Sequence, residues 1–473
     1  MTTALTPTAT HPSAALGGGP RWVRGPRAAA DGCSTPSRTR GVHATPIPTV
    51  PRRAALTALT AAAASSRDLS PATASVASTS EVVREAAALA TNGAGASTVA
   101  FDDATVTIRG TGQVVPVAVW YPTDGTGPTP TYPHAISVAK IARVLLNTPE
   151  STPRFLDRDF PLEPSAGVVR ASTSAAPKNA RGAVVLCHGY LGSRFDLVDL
   201  AEALAASGFV VAAPEFAESL ASPDTVSAQT RPGAKPAANP SATREAVLDA
   251  ALKIFGDEKF TWVERDGKLR SKVPVALVGQ SAGASTATGA PGSFAARVAI
   301  AGFRPPPSEE RERVLTLLGD PLLVVASAGD GVISLYPTDG GVFGPYRGIE
   351  AEVASLPAEF ARFDARGLLD SVRSGDISRR AFVTYETVGG ESPGGESPGG
   401  ESPGQQPLPC HISFLSSRTN DAMVDVLGPL LPVARALGVP VLDFDRYQVT
   451  RDSDEVNQTL VPAVVAWLAA VMR

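Results

Sequence analysis

The chain of 473 residues has little of what several functional classes require. It holds three cysteines, five histidines and no run of 18 apolar residues. Three cysteines do not suggest a disulfide framework, and no His, Cys or carboxylate grouping has metal-ligand spacing, so neither a metal nor an organic cofactor is expected. Without a long apolar run, no membrane-crossing helix is expected. The expectation is a soluble or peripherally membrane-bound protein. Residues 1–67 contain no lysine and a single acid, Asp31, beside eight arginines. Without that segment the 42 basic and 46 acidic side chains fall to 34 and 45, a net charge near −11. So acidic a body, with no basic stripe, argues against nucleic acid as a partner.

The amino-terminal composition of Arg, Ala, Ser, Thr and Pro matches a plastid or mitochondrial transit peptide. Arg52-Arg53 then precede a mildly apolar run of 11 residues ending at Ala64, too short to span a bilayer. That pair and run resemble a thylakoid twin-arginine signal. The expectation is a largely disordered targeting segment over 1–99 on a chloroplast protein that enters the thylakoid lumen, with the mature chain starting between Ser65 and Val99. A disordered Ala-rich extension without an address is the alternative.

What is present begins with Val275 to Gly283, an apolar strand running into Gly-x-Ser-x-Gly. This is the pattern of a nucleophile elbow, in which a tight strand-to-helix turn pushes Ser281 out of the backbone envelope. Upstream, Ala183 to Cys187 read as a buried strand that ends in His188-Gly189-Tyr190-Leu191-Gly192. That turn offers the N–H of Tyr190, and the elbow the N–H of Ala282, as two donors to a developing oxyanion. His188 itself reads better as a structural residue shaping the turn than as a catalytic base.

With so few histidines, the search for the base is short. His11 and His43 lie in the targeting segment and His134 in a Pro-rich loop before the core. His411 remains, after the strand-like Arg380 to Val388 and before a helical pattern starting near Asn420. The orienting acid is expected at Asp330, where the apolar run Pro321 to Ala328 ends in Gly329-Asp330. Asp339 competes, although Pro337-Thr338-Asp339-Gly340 reads better as a β-turn. The order Ser, Asp, His is that of the α/β-hydrolases.

Residues 100–473 read as one catalytic domain of that α/β-hydrolase class. Apolar strands alternate with helical patterns at Leu197 to Ala206, Thr243 to Phe255 and Val456 to Met472, which implies a mostly parallel sheet flanked by helices. Insertions over 219–242, 303–320 and 331–379 overhang the active-site edge and are candidates for a lid or acyl pocket. The insert 389–404, built on Gly-Glu-Ser-Pro-Gly, is a solvated tether. Standing just before His411, it costs little if Pro407 and Pro409 stiffen the approach, or else leaves the base loosely held. Cys187 reads as a buried apolar residue, and Cys410 as incidental packing beside His411.

Val114 to Thr123 with its VWYPT, the His188 to Gly192 turn, and Leu204 to Pro214 together resemble the secreted type of platelet-activating-factor acetylhydrolase and its bacterial relatives. The resemblance covers roughly residues 105–470. It implies calcium-independent hydrolysis of short or oxidised acyl esters at the sn-2 position of phospholipids. One departure stands out, because in that subfamily the acid follows the strand after the elbow. Here that strand, Ala296 to Gly302, ends without a carboxylate. Chlorophyllases, with a similar His-Gly turn, are near relatives and imply a phytyl-ester substrate. Dienelactone-hydrolase-like enzymes place the acid as this chain does. A catalytically silent hydrolase-fold protein binding lipid or pigment is the reading from another class.

Overall fold

The computed structural model describes residues 75–90, 97–137, 140, 158–171, 180–221, 243–256, 273–307, 309–341, 344–386, 408–428, 431–436 and 443–472. Residues 1–74 with the expected Arg52-Arg53 signal, residues 222–242 and the repeat insert lie outside them.

Strand sequences rich in Val, Ala and Leu build the centre of the molecule. In chain order they are β1 (Thr98–Thr107), β2 (Val114–Thr123), the short pair β3 (Ala135–Ile136) and β4 (Arg158–Asp159), and β5 (Val168–Arg170). Next come β6 (Gly182–Cys187), β7 (Phe209–Pro214), β8 (Val275–Gln280), β9 (Ala296–Ile300) and β10 (Leu322–Ser327). A hairpin of β11 (Thr338–Gly341) and β12 (Gly344–Tyr346) precedes β13 (Ala361–Phe363) and β14 (Arg380–Tyr385).

Ten of these strands form one sheet in the order β13-β14-β10-β9-β8-β6-β7-β2-β1-β5. Only β2 runs against the rest, pairing antiparallel with both β1 and β7. The central strands β6, β7, β9 and β10 are buried along their whole length. This explains their unbroken apolar runs, since a parallel sheet covered on both faces leaves no solvent side for alternation. Successive side chains then enter different cores. Ala276 and Val278 point to one face and Leu277 to the other.

Helices α1 (Ser75–Ala90), α2 (Val198–Ala206), α7 (Ala365–Ser374) and α11 (Ser453–Val471) cover the first face. Helices α3 (Arg244–Leu252), α4 (Ala282–Gly289), α5 (Arg311–Gly319) and α6 (Ile349–Ala354) cover the second. At the carboxyl end of the chain α8 (Ser417–Leu427), α9 (Leu431–Ala436) and α10 (Phe444–Thr450) precede α11. The single reversed strand, the strand order and the serine turn between β8 and α4 identify the architecture. It is the α/β-hydrolase fold.

Two segments differ from the sequence reading. The targeting segment expected through residue 99 contains α1, whose Val82, Val83, Ala86, Ala87 and Ala90 are buried against the core. Arg181 Nη1 donates to Ala90 O at 2.8 Å and caps that helix where its carbonyls lack partners. The described fold therefore starts by Ser75, before residue 100. Of the stretches 303–320 and 331–379, candidates for a lid or acyl pocket, several described residues are packed into the second layer. There Phe303, Val314 and Leu317 share a core with Leu335, Ile349 and Val353.

Candidate active site

The site forms where β8 stops. Ser281 has φ 56° and ψ −121°, a left-handed backbone that a non-glycine residue adopts only where its surroundings impose it. The surroundings are crowded. A Cβ at Gly279 would collide with the backbone of Gly283, and one at Gly283 with the carbonyl of Cys187. Both glycines are thus required by close approach, and the turn between them lifts Ser281 clear of the sheet. Ser281 N also donates to Ile300 O at 2.9 Å, which ties the turn to β9.

His411 lies in a short 3₁₀ turn, His411–Phe414, on the loop that follows β14. Its Nε2 is 2.9 Å from Ser281 Oγ. Its Nδ1 is 2.8 Å from Asp330 Oδ2. A carboxylate accepts only, so Nδ1 carries the proton and donates to Asp330, which leaves Nε2 free to accept from the serine hydroxyl. Asp330 sits at the carboxyl end of β10, 4 % exposed, and its other oxygen accepts from Val332 N at 2.8 Å and Ile333 N at 2.7 Å. The carboxylate is held at both ends. Burial by itself would lower the His411 pKa, but the charge of Asp330, its hydrogen bond and the charge of Asp443 outweigh that and raise it above the usual 6.5.

Of the two expected oxyanion donors, Ala282 follows the serine directly and Tyr190 lies on the neighbouring turn. Ala282 opens α4, so its N–H has no acceptor within the helix and stands at the positive end of the helix dipole. Tyr190 lies in the turn after β6, and that turn runs beside the elbow: a Cβ on Gly189 would sit 3.2 Å from Ser281 Cβ.

The remaining histidine of that turn is fully engaged. His188 Nε2 accepts from Phe216 N at 2.9 Å, so its Nδ1 donates to Gly189 O at 2.8 Å. Burial and the nearby Arg244 charge push its pKa well below 6.5, which keeps it neutral. His134 is elsewhere, buried against Phe195, its pKa pushed down to about 4 by burial and Arg194. Asp339 lies exposed in β11 and is not a partner of His411. Cys187 is buried in β6, where burial pushes its thiol up to about 12, and burial likewise raises Cys410 to about 11. Neither is a thiolate near neutral pH.

Three residues escaped the sequence reading. Gln280, the residue before the serine, donates from Nε2 to His411 O at 3.3 Å. Asp443 and Arg446, at the start of α10, reach both loops that carry Asp330 and His411. Only Gln280 had a local signal, its place inside the elbow motif. Among the described residues no group of three or more His, Cys, Asp or Glu has the arrangement of a metal site. A cavity of about 960 Å³ between Arg304, the Pro305-Pro306-Pro307 segment, α5 and Leu356 is lined by none of Ser281, Asp330 and His411.

No protein-family model matches the chain. No curated protein matches it either. Among solved structures the chain is similar to a ferulic acid esterase from Streptomyces cinnamoneus, at 21 % identity and a TM-score of 0.25, over 49 % of this chain and 65 % of that one. It thus spans less than two thirds of that esterase. It is also similar to TT1662 from Thermus thermophilus, at 14 % identity and a TM-score of 0.27, over 61 % of this chain and 89 % of that one. The fold assignment follows from strand order and connection, independently of these likenesses.

Proposed function

We propose that the protein is a serine carboxylic-ester hydrolase that works through an acyl-enzyme. The observation that carries this reading is the unbroken chain from Ser281 Oγ to His411 Nε2 at 2.9 Å and from His411 Nδ1 to Asp330 Oδ2 at 2.8 Å, at a turn with φ 56°. Ser281 Oγ attacks the ester carbonyl while His411 Nε2 takes its proton as general base. The carbonyl oxygen becomes an oxyanion and accepts from the N–H groups of Tyr190 and Ala282, donors of a kind worth about 2.7–4 kcal/mol each. The imidazolium then gives its proton to the leaving alkoxide, and the acyl group stays on Ser281. Water, deprotonated by His411, repeats the cycle and releases the acid. Asp330 holds the tautomer and stabilises the imidazolium.

The finer reading is a platelet-activating-factor-acetylhydrolase-like enzyme that cleaves the sn-2 ester of phospholipids, meeting its substrate at a membrane surface. It is supported by the VWYPT of β2 and the His188 to Gly192 turn, and weakened by the acid standing after β10 rather than β9. A chlorophyllase-like phytyl esterase is the competing substrate class. The amino-terminal composition supports delivery to the chloroplast and onward to the thylakoid lumen.

Labelling with a fluorophosphonate tests the reaction type. The reagent is expected to modify Ser281 and to abolish turnover of p-nitrophenyl esters, and Ser281→Ala is expected to lose both while melting at the same temperature. Absence of labelling in the unaltered chain would favour a silent binding protein. A panel of phospholipids, galactolipids, chlorophyll and p-nitrophenyl esters of varied length then ranks the substrate classes.

A further inference from the structure

Asp443 occupies the N-cap position of α10 but does not cap it. An aspartate there ordinarily accepts from an N–H in the first turn of its own helix, worth about 1 kcal/mol. Here the side chain makes no cap hydrogen bond, and the residue takes a left-handed backbone with φ 66°. The carboxylate is turned instead toward two other loops. Its Oδ2 accepts from Gly331 N at 2.8 Å and from His411 N at 3.1 Å. One oxygen therefore joins the residue after Asp330 to the backbone of His411 itself.

Arg446, in the first turn of the same helix, repeats the pattern on the other side. Its Nη1 donates to Gly329 O, the residue before Asp330, and its Nη2 reaches Leu408 O, three residues before His411, at 3.5 Å. The two loops meet closely at that point, since a Cβ on Gly329 would lie 2.5 Å from Leu408 O.

We propose that Asp443, seconded by Arg446, is a positioning residue that clasps the Asp330 loop to the His411 loop and places a second negative charge beside the imidazole. The inference rests on the serine-hydrolase reading of Ser281, His411 and Asp330. A helix that gives up its own cap to bond the neighbours of two site residues has its carboxylate committed to their separation. The polar and charged groups around His411 are Asp330, Asp443, Ser281 and Gln280, with Cys410 adjoining it. Arg446 approaches the two loops from α10, and Asp452 approaches through Ser413, whose Oγ donates to it at 2.6 Å. Both carboxylates nearest the ring favour its protonated form. Burial of Asp443 and the charge of Asp330 raise the Asp443 pKa, while the two N–H donors favour its charged form.

The test uses the full chain, with the rate of fluorophosphonate labelling at Ser281 followed from pH 4 to 9 beside p-nitrophenyl ester turnover. Asp443→Asn keeps an oxygen that accepts both N–H groups and removes only the charge. It is expected to shift the acid limb of the labelling profile to lower pH, with the plateau rate nearly unchanged. Asp443→Ala removes the bridge as well and is expected to lower the plateau rate by about tenfold or more, the scale set by small misplacements of a catalytic group. If Asp443→Ala does not fold, Arg446→Met, which removes the other link between the two loops, takes its place and is expected to lower the plateau rate in the same sense. A labelled Ser281 with an acid limb unmoved in Asp443→Asn overturns the electrostatic role, an unmoved plateau rate in Asp443→Ala overturns the clasp, and either leaves the hydrolase reading standing. No labelling of the unaltered chain overturns both.

Discussion

His411 Nδ1 lies 2.8 Å from Asp330 Oδ2 although the two residues stand 81 positions apart in the chain. The chain between them includes the hairpin β11–β12, two helices, two strands and the Gly-Glu-Ser-Pro repeat. The pair meets because β10 and β14 are parallel neighbours, Leu322 opposite Arg380 through Ser327 opposite Tyr385, so the loops leaving them emerge at one edge of the sheet.

That relationship makes Asp330 the carboxylate on which turnover depends. Asp330→Asn is expected to lower kcat by up to about 10⁴, because an amide at this position stabilises the wrong imidazole tautomer. Asp339→Asn should change kcat little. Steady-state kinetics on a p-nitrophenyl ester compare the two, and the reverse ranking would move the acid to Asp339.

Activity should fall as the pH is lowered through one ionisation, at a higher pH than an ordinary imidazole would set. The base must be neutral to accept a proton, and the His411 pKa is raised because the Asp330 charge outweighs burial. A raised pKa means that the proton is taken up, and activity lost, earlier in a descent of pH than an unperturbed imidazole would allow. His188 contributes no limb, being held neutral by burial and Arg244. A profile of kcat/KM against pH that stays flat down to pH 5 would contradict this assignment.

The elbow helix has a specific support whose removal should cost stability. Arg297 is 1 % exposed, and it donates from Nε to Asp320 at 2.8 Å and from Nη1 to Ala287 O and Ala290 O at 2.8 and 2.9 Å, around the carboxyl end of α4. Arg297→Met leaves Asp320 buried without its cation and those carbonyls without donors, a loss of about 3–5 kcal/mol. Denaturant unfolding measures it. A cost below about 1 kcal/mol would mean that water replaces the guanidinium.

Deleting Gly390 to Gly404 should leave the melting temperature within a few degrees, since closure entropy depends only logarithmically on loop length. Activity should also persist. His411 is fixed from the carboxyl side by Asp443, while Asn420 Nδ2 holds Ile412 O and Asn457 Nδ2 holds Leu415 O. A large loss of kcat at unchanged stability would show that the repeat itself steers the base.

The amino-terminal residues yield a prediction about processing. Because Val82, Val83, Ala86 and Ala87 of α1 are core residues, cleavage of the proposed targeting segment should fall before Ser75. Sequencing the amino terminus of protein from isolated plastids checks it, and a mature chain beginning after Ala90 would be inconsistent with the packed helix.

Much of this protein was legible in one dimension because its signals are local. Apolar runs such as Ala183 to Cys187 and Leu322 to Ala326 are strands because a sheet buried on both faces demands them. The motif around Ser281 must contain Gly279 and Gly283 because backbones pass too closely there for a Cβ. With five histidines, elimination reached His411, and the end of an apolar run pointed to Asp330. Tertiary structure decided what lacks a local signature. Helix α1 continues the Ala- and Ser-rich composition of the segment before it, and its burial against α2 and α11 is what makes it part of the fold. Asp443 carries no local signal in the sequence. Its hydrogen bonds reach back 32 residues to His411 and 112 to Gly331, and no periodicity or spacing encodes contacts made only when three separate loops meet at one sheet edge.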